Sequence, residues 1–142
     1  IYLPIIEKFY FTFFGKVTRH YEHHRISGAS WVLIGAATTI FLFNEKVAII
    51  ALLVMSLSDS AAAIIGIKYG STYLFNKSLE GSAAFFITSS IIIFSLSPAL
   101  LIVNIIAVLI SVIIELFSTP KLNDNLFIPL TTGIVLTIGG VI

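Results

Sequence analysis

The sequence contains no cysteine, which excludes disulfide bonds, thiolate catalysis and cysteine-ligated metal sites. Charged residues are scarce as well, at 11% of the 142 residues, and the net charge is +1. The basic residues are scattered, so they form no contiguous basic surface of the kind that binds nucleic acid. Nucleic acid is therefore excluded as a main partner. A signal-peptide pattern is also absent, and since the chain begins at Ile1 we expect a fragment that lacks its natural N-terminus.

Apolar residues dominate what is present. They make up 58% of the chain, and the mean hydropathy is +1.07. A water-soluble domain of this length could not bury so much apolar surface. With a spanning length of about 20 residues in mind, we find five apolar blocks separated by short polar breaks, at 29–43, 47–67, 82–96, 99–117 and 126–142. The sequence predicts an all-α, polytopic transmembrane bundle in a single domain, 1–142.

The N-terminal segment 2–14 is aromatic but is interrupted by Glu7 and Lys8, which favours an interfacial helix over a membrane span.

If all five blocks cross the bilayer, the loops 15–28, 68–81 and 118–125 share one face. That face carries six basic residues against Lys46 alone on the other: Lys16, Arg19, Arg25, Lys68, Lys77 and Lys121. By the positive-inside rule it is cytoplasmic. We expect a multi-pass integral membrane protein.

The main chemical signal is Asp59, which lies inside an apolar block. A carboxylate at bilayer depth is costly and is read as functional by default. Asp59 precedes Lys68 by nine residues, about 13 Å at the helical rise, so it can face a cavity open to the cytoplasm. The small residues predicted to share its helix face leave room for a ligand: Ser56, Ala62, Ala63 and Gly66.

Further polar residues are predicted at the same face, among them Glu80, Glu115 and Asp124. Hard carboxylate oxygens together with lysines suit Mg²⁺ bound to a polyphosphate, because Mg²⁺ takes one or two carboxylates and completes its shell with phosphate oxygens and water. The residues thus point to a nucleotide ligand with Mg²⁺ as cofactor.

Three segments carry a family resemblance. They are 59–70 (DSAAAIIGIKYG), 76–82 (NKSLEGS), and Glu115 with 124–130 (DNLFIPL). In order and spacing they resemble the CTP-dependent lipid kinases, namely dolichol kinase, phytol kinase and CTP-dependent diacylglycerol kinase. The resemblance implies transfer of the terminal phosphate of CTP, or of another nucleotide, to the hydroxyl of a polyprenol, phytol or diacylglycerol. Two features depart from that family: Ile67 stands where a basic residue is common, and an Arg-Lys-x-x-His motif is missing near the start.

Site roles follow from this resemblance as hypotheses. Asp59 and Asp124 hold Mg²⁺, and Glu80 orients a lysine or a second metal. Asp59 or Glu115 accepts the proton of the acceptor hydroxyl, since a general base must lie within hydrogen-bond reach. The expected nucleotide-binding residues are Arg19, Lys68, Gly70, Lys77 and Asn125. A homodimer is left open.

Other interpretations stay open at this point. Phosphatidate cytidylyltransferases share part of the pattern, but their Ser-Pro-Lys-Lys-Thr segment is replaced here by Phe75-Asn76-Lys77-Ser78. A small ion-coupled transporter would use Asp59 and Glu115 as an ion relay, but such groups should extend through the membrane rather than cluster at one face. The lysines could equally be membrane anchors, and 123–125 a turn with a helix cap.

Overall fold

The computed structural model describes residues 28–75, 77–98, 100–118 and 123–141. The predicted interfacial segment 2–14 and Arg19 lie outside these ranges. The described part is helical apart from one short hairpin. Its elements are α1 (Gly28–Leu42), α2 (Glu45–Tyr69), β1 (Tyr73–Leu74), β2 (Lys77–Ser78), α3 (Leu79–Leu96), α4 (Leu101–Leu116) and α5 (Asp124–Ile138).

The five helices coincide with the five predicted apolar blocks, so the all-α prediction is confirmed. Two of them, α2 with 25 residues and α3 with 18, are long and apolar enough to cross a membrane. The other three have 15 or 16 residues, whereas a membrane-spanning helix needs about 20. Five complete spans therefore stay a prediction.

The apolar surfaces of α2 and α3 face outward. In the most hydrophobic window of each helix, only 39% and 28% of the residues are buried. A core helix of a soluble protein would be mostly covered. Large apolar side chains are also exposed on the other helices, for example Phe41 at 88%, Ile102 at 73% and Ile138 at 83%. So much exposed apolar surface is stable in lipid and not in water, so the protein is membrane-associated.

The core lies around the N-terminal half of α2. Val47, Ile50 and Val54 are fully buried there and belong to one apolar cluster with residues of α3, α4 and α5. α2 packs against α3 and α5, while α5 also contacts α1 and α4. A buried hydrogen bond of 2.8 Å between the hydroxyls of Ser111 and Thr132 joins α4 to α5.

Capping residues determine where several helices begin. The side chain of Asn44 accepts a hydrogen bond from the backbone N–H of Val47, and the Ser78 hydroxyl accepts one from Gly81. Asn123 caps α5 in the same way. Each cap satisfies a backbone donor that the first helical turn leaves unpaired. The cap at Ser78 starts α3 immediately after the hairpin.

One turn of α2, Val54–Ser58, is a π-helix, and Asp59 follows it directly. Such turns are rare and occur frequently at functional sites. The predicted shared face of small residues is correct for Ala62, Ala63 and Gly66, which line a cavity together with Asp59. Ser56 does not line this cavity, and its hydroxyl donates to the Leu52 carbonyl within its own helix. It lies inside the π turn, where α-helical spacing does not hold.

Candidate functional site

Asp59 lies at the wall of a cavity of about 240 Å³ between α2, the hairpin, α3 and α4. Within the described residues, its carboxylate makes no hydrogen bond or ion pair, but it interacts electrostatically with Lys77, Glu115 and Asp124. A carboxylate with free oxygens beside a cavity can bind a ligand or a cation. The cavity is lined by Asp59, Ala62, Ala63, Gly66, Ile67, Tyr73, Lys77, Ser78, Gly81 and Glu115.

Two glycines let α2 and α3 approach closely beside this cavity. A Cβ atom on Gly81 would lie 2.8 Å from the Ala62 carbonyl oxygen and 3.3 Å from the Gly66 Cα. A Cβ on Gly66 would lie 2.8 Å from the Ser78 hydroxyl oxygen. Because these distances are below normal carbon contacts, no side chain fits at Gly81 without movement of backbone. The close crossing brings Ser78 and the adjacent Lys77 next to the Asp59 segment.

Lys77 is held by two carboxylates from different helices. Its Nζ lies 3.2 Å from Glu115 Oε1 and 3.0 Å from Asp124 Oδ2. The antiparallel pairing of Leu74 with Lys77 fixes the lysine in the hairpin. Lys77 therefore links the hairpin, the end of α4 and the start of α5.

The environment of Lys77 keeps it charged. Burial disfavours the ammonium form, but Asp124 and Glu115 outweigh burial and raise the pKa of Lys77 above its ordinary value. With Asp59 included, the cluster holds three acidic groups and one basic group. If all four are ionised, a net negative charge remains at the cavity, and a bound cation would neutralise it.

Glu115 is almost completely buried, with 1% of its side chain exposed. While Oε1 faces Lys77, Oε2 accepts a hydrogen bond of 2.7 Å from the Ser82 hydroxyl. Both carboxylate oxygens are therefore engaged. The role of Ser82 is not predictable from the sequence, since a serine near a helix start carries no signal that distinguishes a site residue from a packing residue.

Asp124 also has both oxygens engaged. Oδ2 faces Lys77, and Oδ1 accepts the backbone N–H of Asn125 at 3.1 Å. Asn125 itself does not line the cavity. Its carbonyl lies against α1, where a Cβ on Gly35 would collide with the carbonyl oxygen. Asn125 thus belongs to the contact between α1 and α5.

Three further candidate residues lie outside the cavity lining. The Glu80 carboxylate accepts hydrogen bonds from the Ser71 hydroxyl and from the Thr72 N–H, so it fastens the loop that precedes the hairpin. The exposed Lys68 lies over the Tyr69 ring, 5.0 Å from the centroid. Gly70 ends α2, and its N–H donates to the Gly66 carbonyl. Glu80, Lys68 and Gly70 do not line the cavity.

Comparison with known proteins identifies several relatives. The chain is 34% identical over 145 residues to the uncharacterised protein RP860 of Rickettsia prowazekii, covering 94% of this chain and 70% of that protein. It is 37% identical over 86 residues to CTP-dependent diacylglycerol kinase 1 of Saccharomyces cerevisiae, and 32% identical over 94 residues to the enzyme of that name in Eremothecium gossypii. These two matches cover 58% and 64% of this chain.

The chain belongs to the family of the Rickettsia prowazekii protein, and part of it is similar to the two fungal CTP-dependent diacylglycerol kinases. The chain spans only 30% of the length of each of these two fungal kinases. No protein-family profile and no solved structure matches it.

Proposed function

We propose that the protein is a membrane lipid kinase that transfers the terminal phosphate of CTP, or of another nucleoside triphosphate, to the hydroxyl of a lipid alcohol. A polyprenol, phytol or diacylglycerol is the proposed acceptor. Similarity to the fungal CTP-dependent diacylglycerol kinases supports the reaction class. The observation that carries the proposal is the Asp59 carboxylate, free of hydrogen bonds within the described residues, at a cavity that also presents Lys77.

Phosphoryl transfer depends on charge neutralisation and alignment more than on covalent chemistry. Lys77 supplies a fixed positive charge at the cavity. An ammonium group has three N–H donors, and the contacts with Glu115 and Asp124 engage it from two sides. A third donor is left for a phosphate oxygen.

Mg²⁺ fits this donor set. Among the described residues, no three histidine, cysteine or acidic side chains could ligate one ion together. Mg²⁺ needs only one or two carboxylates when phosphates and water complete its shell. Asp59 would hold it, whereas the oxygens of Asp124 are engaged by Lys77 and Asn125. The ion would supply charge neutralisation of the phosphates.

The acceptor hydroxyl must lose its proton during transfer. One oxygen of the Asp59 carboxylate would bind the ion, and the other could accept this proton, because the carboxylate makes no hydrogen bond within the described residues and lies at the cavity. The cavity also has apolar lining on α2, where Ala63 and Ile67 are both exposed. A lipid alcohol can therefore place its hydroxyl near Asp59 while its chains stay in lipid at the proposed cytoplasmic interface.

The test uses the purified full-length protein in detergent–lipid micelles, with Mg²⁺, CTP labelled in the terminal phosphate, and a panel of lipid alcohols. We expect label in a lipid monophosphate, with CDP as the second product. Asp59→Asn should lower the rate by about 100-fold or more, the range for loss of a general base. Glu45→Gln makes the same chemical change at the opposite end of α2 and should retain the wild-type rate.

The products decide between the enzyme classes. A CDP-lipid with release of pyrophosphate would identify a cytidylyltransferase and overturn the kinase proposal. Full activity of Asp59→Asn would remove Asp59 from the mechanism. Proton-coupled uptake into liposomes without nucleotide turnover would instead favour a transporter.

A further inference from the structure

Lys77 is the meeting point of a polar network that the sequence motifs do not reveal. Its two carboxylate partners come from α4 and α5, and Lys77 itself comes from the hairpin. A lysine side chain has many rotamers, and fixing it costs conformational entropy. Two simultaneous ion pairs hold the Lys77 ammonium group at one point of the cavity wall.

Ser82 extends this network to α3. Its side chain is 5% exposed, and its hydroxyl donates to Glu115 Oε2 at 2.7 Å. This hydrogen bond orients the carboxylate so that Oε1 faces Lys77. Because Glu115 is buried and both of its oxygens are engaged, it has no oxygen free for a substrate hydroxyl. Asp59 does.

We propose that Ser82, Glu115 and Asp124 are positioning residues that hold the Lys77 ammonium group at the cavity, where its remaining N–H binds a phosphate oxygen of the ligand. The inference rests on the proposed function for the presence of a phosphorylated ligand. It assigns a role to Ser82 and gives Glu115 a positioning role in place of the proton-accepting role considered from sequence.

Binding of inorganic triphosphate tests this proposal without any chemistry on lipid. The full-length protein in detergent is titrated calorimetrically with triphosphate and Mg²⁺. Lys77→Met should weaken binding by about tenfold or more, the effect of losing a charged hydrogen bond. Ser82→Ala should weaken binding in the same direction by about threefold to tenfold, because the carboxylate that holds Lys77 loses its orienting donor.

A double-mutant cycle separates positioning from a merely structural role. In the Lys77→Met background, Ser82→Ala should leave triphosphate affinity unchanged, because the group that it positions is gone. A structural defect would weaken binding equally in both backgrounds and would overturn the proposal. Ser89→Ala is the matched control, since this buried serine of α3 bonds only to the Phe86 carbonyl among the described residues. It should bind triphosphate as the wild type does.

Glu115→Gln gives a second, independent test, which also decides the matter if Ser82→Ala does not fold. If Glu115 is a positioning residue, Glu115→Gln should weaken triphosphate binding in the otherwise wild-type protein and should have no effect on it in the Lys77→Met background. If Glu115 is instead a general base, Glu115→Gln should leave triphosphate affinity unchanged and reduce kcat by about 100-fold or more. This result would overturn the proposal. Ser82→Thr, which keeps the hydroxyl, should restore the affinity that Ser82→Ala loses.

The wild-type protein separates this proposal from the proposed function. Triphosphate binding that depends on Lys77 and Ser82, without formation of any lipid phosphate, would contradict the kinase function and leave the positioning network standing. Absence of triphosphate binding by the wild type would overturn the network as a phosphate site.

Discussion

The Lys77 ammonium group lies 3.0 Å from the Asp124 carboxylate, although the two residues are 47 positions apart in the chain. The contact brings the hairpin against the first turn of α5. Asp124 also lies where a negative charge stabilises a helix N-terminus. One carboxylate therefore stabilises the start of α5 and holds the lysine at the cavity.

Replacing Lys77 should destabilise the fold as well as the site. In Lys77→Met, the buried Glu115 carboxylate loses its counter-charge, and breaking a buried pair in this way costs about 3 kcal/mol or more. We expect a lower thermal midpoint for the variant in detergent, measured by circular dichroism. Lys46→Met removes an exposed lysine at the other end of α2 and should leave the midpoint unchanged.

The double variant Lys77→Met/Glu115→Gln checks the physical cause. It removes the unpaired carboxylate, so part of the lost stability should return. If the double variant is less stable than Lys77→Met alone, an unpaired charge at Glu115 is not the cause of the destabilisation.

Glu80 should act on the loop before the hairpin. In Glu80→Ala, the Thr72 N–H loses its acceptor and the Ser71 hydroxyl loses its partner. Without this acceptor the loop opens more readily, so amide exchange at Thr72 should become faster in the variant than in the wild type. Hydrogen–deuterium exchange with mass spectrometry measures this change.

Exchange in the core of α5 should stay at the wild-type level in Glu80→Ala, because the hydrogen bonds of the Glu80 carboxylate in the described residues are to Ser71 and Thr72. Unchanged exchange at Thr72 would show that these hydrogen bonds do not hold the loop in solution.

Gly81 should be intolerant of a side chain. In Gly81→Ala, the new methyl group would lie 2.8 Å from the Ala62 carbonyl oxygen, and since this atom belongs to the backbone of α2 the helices must separate. Overpacking of this kind costs about 1–3 kcal/mol. The expected result is a lower thermal midpoint, with Gly28→Ala as control because no atom of the described residues lies within 4 Å of its added Cβ. Equal midpoints for the two variants would contradict the close crossing.

The absence of cysteine makes the orientation of α2 directly measurable. Single variants Glu45→Cys and Thr72→Cys place one thiol at the first residue of this 25-residue helix and the other just beyond its last residue, Tyr69. If α2 crosses the membrane with the hairpin inside, an impermeant maleimide should label the first in intact cells and the second only after permeabilisation. Labelling of both thiols from the same side would mean that α2 does not cross.

The helical fold follows closely from the sequence because apolar blocks and polar breaks are local signals. The breaks at 44–46 and 68–81 correspond to real helix ends, and Asn44 acts as a cap. The hairpin was not predicted. Its two-residue strands, Tyr73–Leu74 and Lys77–Ser78, are too short for a detectable alternation of apolar and polar residues.

The site was predictable in part. A charged residue such as Asp59 is unusual enough in an apolar block to mark it as a candidate site residue from sequence alone. The partners of Lys77 were not predictable, because their contacts depend on how α4 and α5 pack in space. Glu80 illustrates the opposite problem: its position within a polar motif suggested a direct role, whereas the folded chain turns its carboxylate toward Ser71 and Thr72.

The π turn at Val54–Ser58 has a consequence for how α2 can be redesigned. In a π turn the hydrogen bonds join residues five apart instead of four. The turn therefore changes the angle about the helix axis between the core-facing half of α2 and its cavity-facing half. A helical wheel drawn in 100° steps from Val47 to Gly66 therefore misassigns the direction of Asp59. Changing the number of residues in this single turn would rotate Asp59 around the helix axis together with Ala62, Ala63 and Gly66, which follow it on α2.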